Sequence, residues 1–156
     1  MNKKTLALML CLFAATVLHA EKITFSAGNM SGQAGDSSAT TTLTGGAFIQ
    51  TSSMEISADQ IELSGDDYRF INASGKISGK NLETKMEFTC DSMSYDRQTK
   101  VAVLQGNVHL VDTENDVKAD AQIIEYNQNT NIAVLQIDIN LTQKKNVCTG
   151  SYAVYQ

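Results

Sequence analysis

The sequence contains no proline and no tryptophan, and only 2 of its 156 residues are histidine. Because proline is absent, the edges of any β-sheet in this chain must be protected by charge, by bulges or by partners. His109 lies between Val108 and Leu110 in a predicted strand and on the opposite face from both. A nucleophile–histidine–carboxylate site needs its imidazole beside a nucleophile, so we predict a solvent-facing histidine and no catalytic residue.

Basic residues are scarce as well. The chain has 12 Lys and Arg against 17 Asp and Glu, a formal net charge of −5. Beyond the N-terminal segment, Lys144-Lys145 is the one adjacent basic pair. Because phosphate binding depends on clustered Lys and Arg, nucleic acid is excluded as a partner.

The one long apolar run lies at the N-terminus. A basic start precedes an apolar core from Leu6 to Leu18, and an acidic residue follows Ala20. This layout predicts a secretory signal peptide over residues 1–20, with cleavage after Ala20. The core is shorter than the ~20 residues that span a bilayer. Cys11 lies inside this core rather than at its end, which disfavours a lipidated cysteine.

Two cysteines, Cys90 and Cys148, lie beyond the signal peptide, in what the signal predicts to be an oxidising compartment. A disulfide between these two cysteines is therefore possible. Both residues begin the same motif two repeat units apart, and two strand spacings of ~4.8 Å exceed the ~7 Å Cα separation that a disulfide tolerates. The repeat therefore favours free thiols.

A repeated pattern dominates the rest of the chain. Gly75 and Gly106 lie 31 residues apart, and Ile137 occupies the next matching position. Stacked repeats of this kind form one continuous structure, so we expect function on an extended surface rather than in a catalytic pocket. The segments that share the pattern are Tyr68–Ile77, Lys100–Leu110 and Asn131–Leu141.

Period-two alternation from Met54 onward predicts strands with one apolar face. In three of these segments the apolar parity reverses near an acidic residue, at Asp59, Asp91 and Asp120. We interpret these places as corners where an extra residue redirects the side chains, with the carboxylates serving turn chemistry. No long segment has helical spacing, so the sequence predicts an all-β fold of about ten short antiparallel strands.

The segment before Met54 has a different composition. Residues 21–53 are rich in Ser, Thr and Gly and predict a flexible lead-in or a few polar edge strands with weakly defined register. Residues 54–156 form the predicted β-repeat domain.

An acidic segment, Asp112–Asp116, imitates the first half of a calcium-binding loop. Such a loop needs glycine at its sixth position and a bidentate glutamate at its twelfth. Val117 and Ile123 occupy those positions, so we predict a hairpin loop and expect neither a metal nor a cofactor.

Three parts of the repeat share one motif: Ala58–Leu63, Cys90–Val108, and Lys118–Ala121 with Glu125–Asn127. This motif resembles that of the OstA-like (LptA) family of periplasmic lipopolysaccharide-transport proteins. In that family an A-D-x-hydrophobic-x-Y-D step leads into T-x-x-A-x-L-x-G-N-V. The chain departs from this pattern at Cys90, in the alanine place, and at Ile137, in a glycine place.

The resemblance implies a non-enzymatic carrier with an open, folded-over β jelly roll built from repeated antiparallel strands. It also implies protomers stacked end to end as a bridge between the inner and outer membranes. The partners would be lipopolysaccharide or a related glycolipid, together with inner- and outer-membrane transport components of similar fold.

One apolar face of the predicted strands supplies the candidate groove for acyl chains. Burying one methylene is worth ~0.8 kcal/mol, so such a face can hold a long chain without charged groups. A structural or adhesive secreted β-repeat protein with a closed core is the alternative, and a secreted carbohydrate-active enzyme is a third possibility. The groove candidates are Ile56, Ile61, Leu63, Phe70, Ile77, Met86, Phe88, Met93, Val101, Val103, Val108, Leu110, Ile124, Val134 and Ile139.

Overall fold

The computed structural model describes residues 22–32 and 40–156, so the predicted signal peptide lies outside the described residues. The described chain consists of strands and one short 3-10 helix, Asp66–Tyr68, which confirms the all-β prediction. The strands are β1 Thr24–Ser26, β2 Asn29–Gly32, β3 Thr41–Gln50, β4 Met54–Ser64, β5 Phe70–Asn81, β6 Met86–Asp96, β7 Val101–Asp112, β8 Val117–Asn127, β9 Ile132–Gln143 and β10 Asn146–Tyr155.

All ten strands belong to one antiparallel sheet. From β3 to β10 each strand pairs with the next along the chain. β1 pairs with the second half of β3 and β2 with its first half, so together they act as one strand bent at Ala27-Gly28. In the described part of the chain the sheet does not close on itself, because β10 pairs only with β9.

Every long strand is bent near its middle. Each pair of neighbouring strands from β3 to β10 has a shift of register at the same level of the sheet. On the odd-numbered strands two consecutive residues take positive φ at this level, and such bulges bend a strand and redirect its side chains. These corner pairs are Gly45-Gly46, Gly75-Lys76, Gly106-Asn107 and Ile137-Asp138.

The corners require glycine for a second reason. A Cβ atom on Gly75 would lie 2.6 Å from Oδ2 of Asp59, and a Cβ atom on Gly106 would lie 2.6 Å from Oδ2 of Asp91. The acidic side chain of one strand therefore packs directly on the glycine of the next. The 31-residue spacing seen in the sequence is the spacing of these corners.

The third corner differs from the sequence-based interpretation. The register shift in β8 skips Gln122, between Ala121 and Ile123, so Gln122 rather than Asp120 occupies the place of Asp59 and Asp91. Asp120 instead pairs with His109 on β7. The alternation of apolar residues placed the parity change of β8 correctly. The interpretation of Asp120 as the corner residue was wrong, because Gln122 occupies that position.

The bends fold the sheet so that the same face of both halves lines one interior. Strand β3 takes part in this interior although it lies in the Ser/Thr/Gly-rich segment. Its Leu43, Ala47 and Ile49 are at most 1% exposed. The strand has a defined register because it pairs with β4 along its whole length, with the Gly45-Gly46 corner between the two halves.

Turns at both ends of the sheet repeat one design. Asp96 and Asn127 each accept hydrogen bonds from the backbone N–H groups two and three residues later. Asn81 and Asp112 do the same at the opposite end of the strands. The segment Asp112–Asp116 is thus a hairpin turn, as the sequence predicts.

Candidate functional site

The interior is sealed at the N-terminal end of the sheet. Leu43, Leu63 and Ile71 are 0% exposed there. The ring of Phe25 on β1 also contacts the ring of Tyr68 edge-on, with 5.7 Å between their centroids. Because Phe25 comes from one edge of the sheet and Tyr68 from the turn after β4, this contact helps to cover the core.

The interior opens at the C-terminal end of the sheet. A cavity of about 320 Å³ lies between the two halves of the folded strands from β6 to β10. Its walls are mostly apolar: Met86, Leu110, Val117, Ala119, Ile124, Tyr126, Ala133, Leu135, Leu141 and Tyr155. Its polar lining residues are Thr84, Asp112, Glu114, Asn115, Asn131 and Gln156.

The last strand explains why the cavity stays open. Cys148, Gly150 and Ala153 of β10 pair with Leu141, Ile139 and Leu135 of β9 and therefore share their inward face. These three residues are small, and every residue from Asn146 to Tyr152 is exposed. β10 therefore extends the trough without covering it.

Two tyrosines and one aspartate organise the mouth of the cavity. The hydroxyl of Tyr126 donates a hydrogen bond to Oδ1 of Asn131 at 3.0 Å. Burial raises the pKa of Tyr126 and of Tyr155, and the negative charge of Asp112 adds to both shifts. Asp112 is the last residue of β7, and it lines the same cavity as Tyr126 and Tyr155, so opposite ends of the strands lie close together there.

Most of the predicted groove residues lie in the interior. Met86, Leu110 and Ile124 line the cavity. The remainder pack in the core around or beyond it, at 7% exposure or less: Ile56, Ile61, Leu63, Ile77, Phe88, Met93, Val108 and Ile139.

The structure does not bring four candidates to the interior: Phe70, Val101, Val103 and Val134. Their chain neighbours Ile71, Ala102, Leu104 and Leu135 are the buried residues. Since successive side chains of a strand point to opposite faces, the four lie on the outer face. Both parities of the run Val101–Leu104 are apolar, so alternation there does not reveal the inward side.

Sequence reasoning also missed several cavity residues, notably Ala119, Ala133, Leu135 and Tyr155. Leu135 could have been found from the corner at Ile137-Asp138. A bulge of two residues there leaves Leu135 and Ile139, which are four residues apart, on the same inward face. Alanine gives only a weak hydrophobic signal. The alternation places Ala119 on the apolar face with Val117, but strand pairing is needed to place it in the cavity wall.

Other reactive groups lie away from the cavity. His109 is about half exposed, and its Nδ1 lies 2.5 Å from Oδ1 of Asp120. Cys90 and Cys148 are free, with β7, β8 and β9 between their strands. Burial raises the pKa of the Cys90 thiol to about 11, which keeps it protonated and unreactive. No cluster of potential metal ligands is present among the described residues.

The described part of the chain has no helix of the length and hydropathy needed to cross a membrane. A single sheet folded over an apolar cavity that opens at one edge is an open β jelly roll, an architecture that can hold the apolar part of a ligand.

Comparison with known proteins identifies the family. The model of the LptA/(LptD N-terminal domain) LPS transport protein family matches residues 27–156, so the chain belongs to this family of lipopolysaccharide-transport proteins. Among solved structures, the fold is similar to LptH, the LptA homologous periplasmic component of the lipopolysaccharide transport device from Pseudomonas aeruginosa. The TM-score is 0.70 at 11% sequence identity, over 80% of this chain and 96% of that chain. Comparison with curated proteins finds no match.

Proposed function

We propose that this protein resides in the periplasm and carries lipopolysaccharide as part of a bridge between the inner and outer membranes, with acyl chains held in the cavity at the C-terminal end of the sheet. Family membership supports the cargo, and the open apolar cavity is the observation that supports its position. The protein works as a carrier and not as an enzyme. The predicted signal peptide accounts for its export.

The energetics of the cavity suit an acyl chain. Transfer of each methylene from water to an apolar surface contributes ~0.8 kcal/mol, so about ten methylenes contribute roughly 8 kcal/mol before the cost of ordering the chain. The apolar walls supply this surface, and the charged side chains among the described lining residues are those of Asp112 and Glu114, at the turn between β7 and β8. A structural protein with a sealed core is not favoured, because a sealed core would leave no cavity between β6 and β10.

The free edge of β10 supports end-to-end assembly. In the described chain one side of this ten-residue strand has no partner strand, and its outer face exposes Val147, Tyr152 and Val154. Long unprotected edges are templates for pairing with another strand. We infer that β10 adds the edge of a second copy, or of a transport component of similar fold, and thereby continues the trough.

One pair of residues on β10 tests both proposals. Tyr155 lines the cavity, whereas Tyr152 is 66% exposed on the opposite face of the same strand. A photoreactive phenylalanine analogue replaces either tyrosine, and cells that make lipopolysaccharide are irradiated. We expect lipopolysaccharide crosslinks from position 155, and crosslinks to a second protein chain from position 152.

The two outcomes are independent. Equal lipid labelling from both positions would contradict a cavity site and indicate nonspecific adsorption. Lipid labelling confined to position 155 without protein crosslinks from position 152 would retain the carrier function and refute pairing through β10.

A further inference from the structure

The charged side chains at the rim of the cavity are all negative. The charged side chains among its described lining residues are Asp112 and Glu114, and no lysine or arginine is among them. The other polar side chains are neutral amides and hydroxyls, from Thr84, Asn115, Tyr126, Asn131, Tyr155 and Gln156.

The carboxylate of Asp112 is held firmly at this rim. The residue is 5% exposed. Its Oδ1 accepts hydrogen bonds from the backbone N–H groups of Glu114 at 3.0 Å and Asn115 at 3.1 Å. Its Oδ2 accepts a third hydrogen bond, from Nδ2 of Asn115, at 2.7 Å. The carboxylate therefore cannot swing away from a ligand that enters beside it without losing these bonds.

The nearest basic residues of the same set of turns lie outside the cavity. Lys85, Lys144 and Lys145 are exposed and do not line it. An anionic group on a bound lipid therefore meets carboxylates at the rim and cations only on the solvent side of the turns. Between a carboxylate and a phosphate the repulsion is strengthened by apolar walls, which lower the local dielectric constant.

We propose that this rim admits the acyl chains and the uncharged sugar part of a glycolipid and keeps the phosphate groups outside. This inference rests on the proposed function and adds the headgroup specificity of the same site. Amides, tyrosine hydroxyls and carboxylate oxygens can exchange hydrogen bonds with sugar hydroxyls, whereas a phosphate beside Asp112 and Glu114 meets like charge and no cationic side chain among the described lining residues.

The chain itself supplies a conservative variant. Asn81 stands 31 residues before Asp112, and its Oδ1 accepts the same turn hydrogen bonds from the backbone N–H groups of Glu83 and Thr84. D112N should therefore keep the turn and remove the charge. Combined with E114Q, it makes the rim neutral. E125Q removes one negative charge from an exposed position that does not line the cavity and serves as the control for a charge lost away from the cavity.

The experiment measures the affinities of full-length mature protein for lipid A molecules that share their acyl chains and have two, one or no phosphate groups. EDTA removes bridging divalent cations, and low salt limits screening. The affinity for the two-phosphate form relative to the phosphate-free form should rise about tenfold in D112N/E114Q, the effect of one or two like charges at close range. It should not change in E125Q.

Unchanged affinity of D112N/E114Q for the phosphate-free lipid confirms that the variant is folded. An unchanged affinity ratio in that folded variant would overturn the rim specificity and leave the carrier function intact. Failure of the wild-type protein to bind any of the three lipids would overturn both.

Discussion

The two ends of the sheet are built from the same repeat but have different interiors. Ile61 and Leu63 on β4 and Ile71 on β5 are 0% exposed, whereas Leu141 on β9 is half-buried and the first seven residues of β10 are exposed. The length of the strands from β3 to β10 and the two-residue corners of the odd-numbered strands are nearly constant between the two ends. The difference arises from what lies beyond the last repeat.

At the N-terminal end the bent strand β1–β2 and the turn around Tyr68 cover the core. At the C-terminal end β10 presents small inward side chains and an unpaired edge. Similar repeat units thus enclose a sealed core at one end of the described sheet and leave an open apolar cavity at the other. This comparison predicts that the same substitution will have different consequences at the two ends.

The largest difference is expected between two leucines. Leu63→Ala at the sealed end should lower the free energy of unfolding by about 3 kcal/mol, because a fully buried leucine leaves a cavity when it is truncated. Leu141→Ala, at the half-buried open end, should lower it by about 1 kcal/mol. Urea unfolding of the lipid-free protein measures both. Equal losses would show that the open end is as tightly packed as the sealed end.

A smaller difference is expected between the corners. Gly106 has φ +77°, and an added Cβ atom would lie 2.6 Å from Oδ2 of Asp91, so Gly106→Ala should destabilise the protein by about 2 kcal/mol. At the next corner Ile137 takes φ 64°, an unfavourable region for a β-branched residue. Ile137→Gly relieves this strain but adds backbone entropy to the unfolded chain, for a net gain of about 0.5 kcal/mol. Opposite signs in urea unfolding are the expected result, and a loss at both positions would contradict it.

The fold could be predicted from the sequence because the repeat contains residues with strong local conformational preferences. Glycines at the corners, Asx residues at the turns and period-two alternation indicate bent antiparallel strands. The inward face was harder to predict. In the run Val101–Leu104 both faces are apolar, and only the position of the Gly106-Asn107 bulge relative to Val108 assigns Leu104 to the interior.

The site could be predicted only in part, because its opening depends on strand pairing between distant segments. The hydrophobicity of Leu110 and Ile124 was enough to predict that they face the interior. Ala119 and Ala133 do not, and their position in the wall follows from their register with β7 and β8. β10 is exposed because no further strand pairs with it in the described sheet. The local sequence pattern of β10 does not predict this exposure.

The smallest expected effect compares two equivalent turns. Asp96 and Asn127 make the same turn hydrogen bonds, but Asp96 also accepts hydrogen bonds from Arg69, which hold the pKa of its carboxyl well below the usual range. D96N should keep the turn and lose the ion pair. The pair is partly exposed, so the loss at pH 7 should be about 1 kcal/mol or less.

The pH dependence of this loss has a definite sign. A depressed carboxyl pKa stabilises the fold fully above the unfolded value of about 3.9, and the stabilisation disappears as pH falls towards the folded pKa. The wild-type protein and D96N should therefore differ in urea unfolding at pH 7, and the difference should begin to shrink below about pH 4 and continue to shrink as pH falls towards the folded pKa. N127D, which adds a carboxylate to the equivalent turn, is the control and should not gain the stability that Arg69 confers on Asp96. A difference between wild type and D96N that persists unchanged into acid would show that the turn, and not the ion pair, distinguishes the two residues.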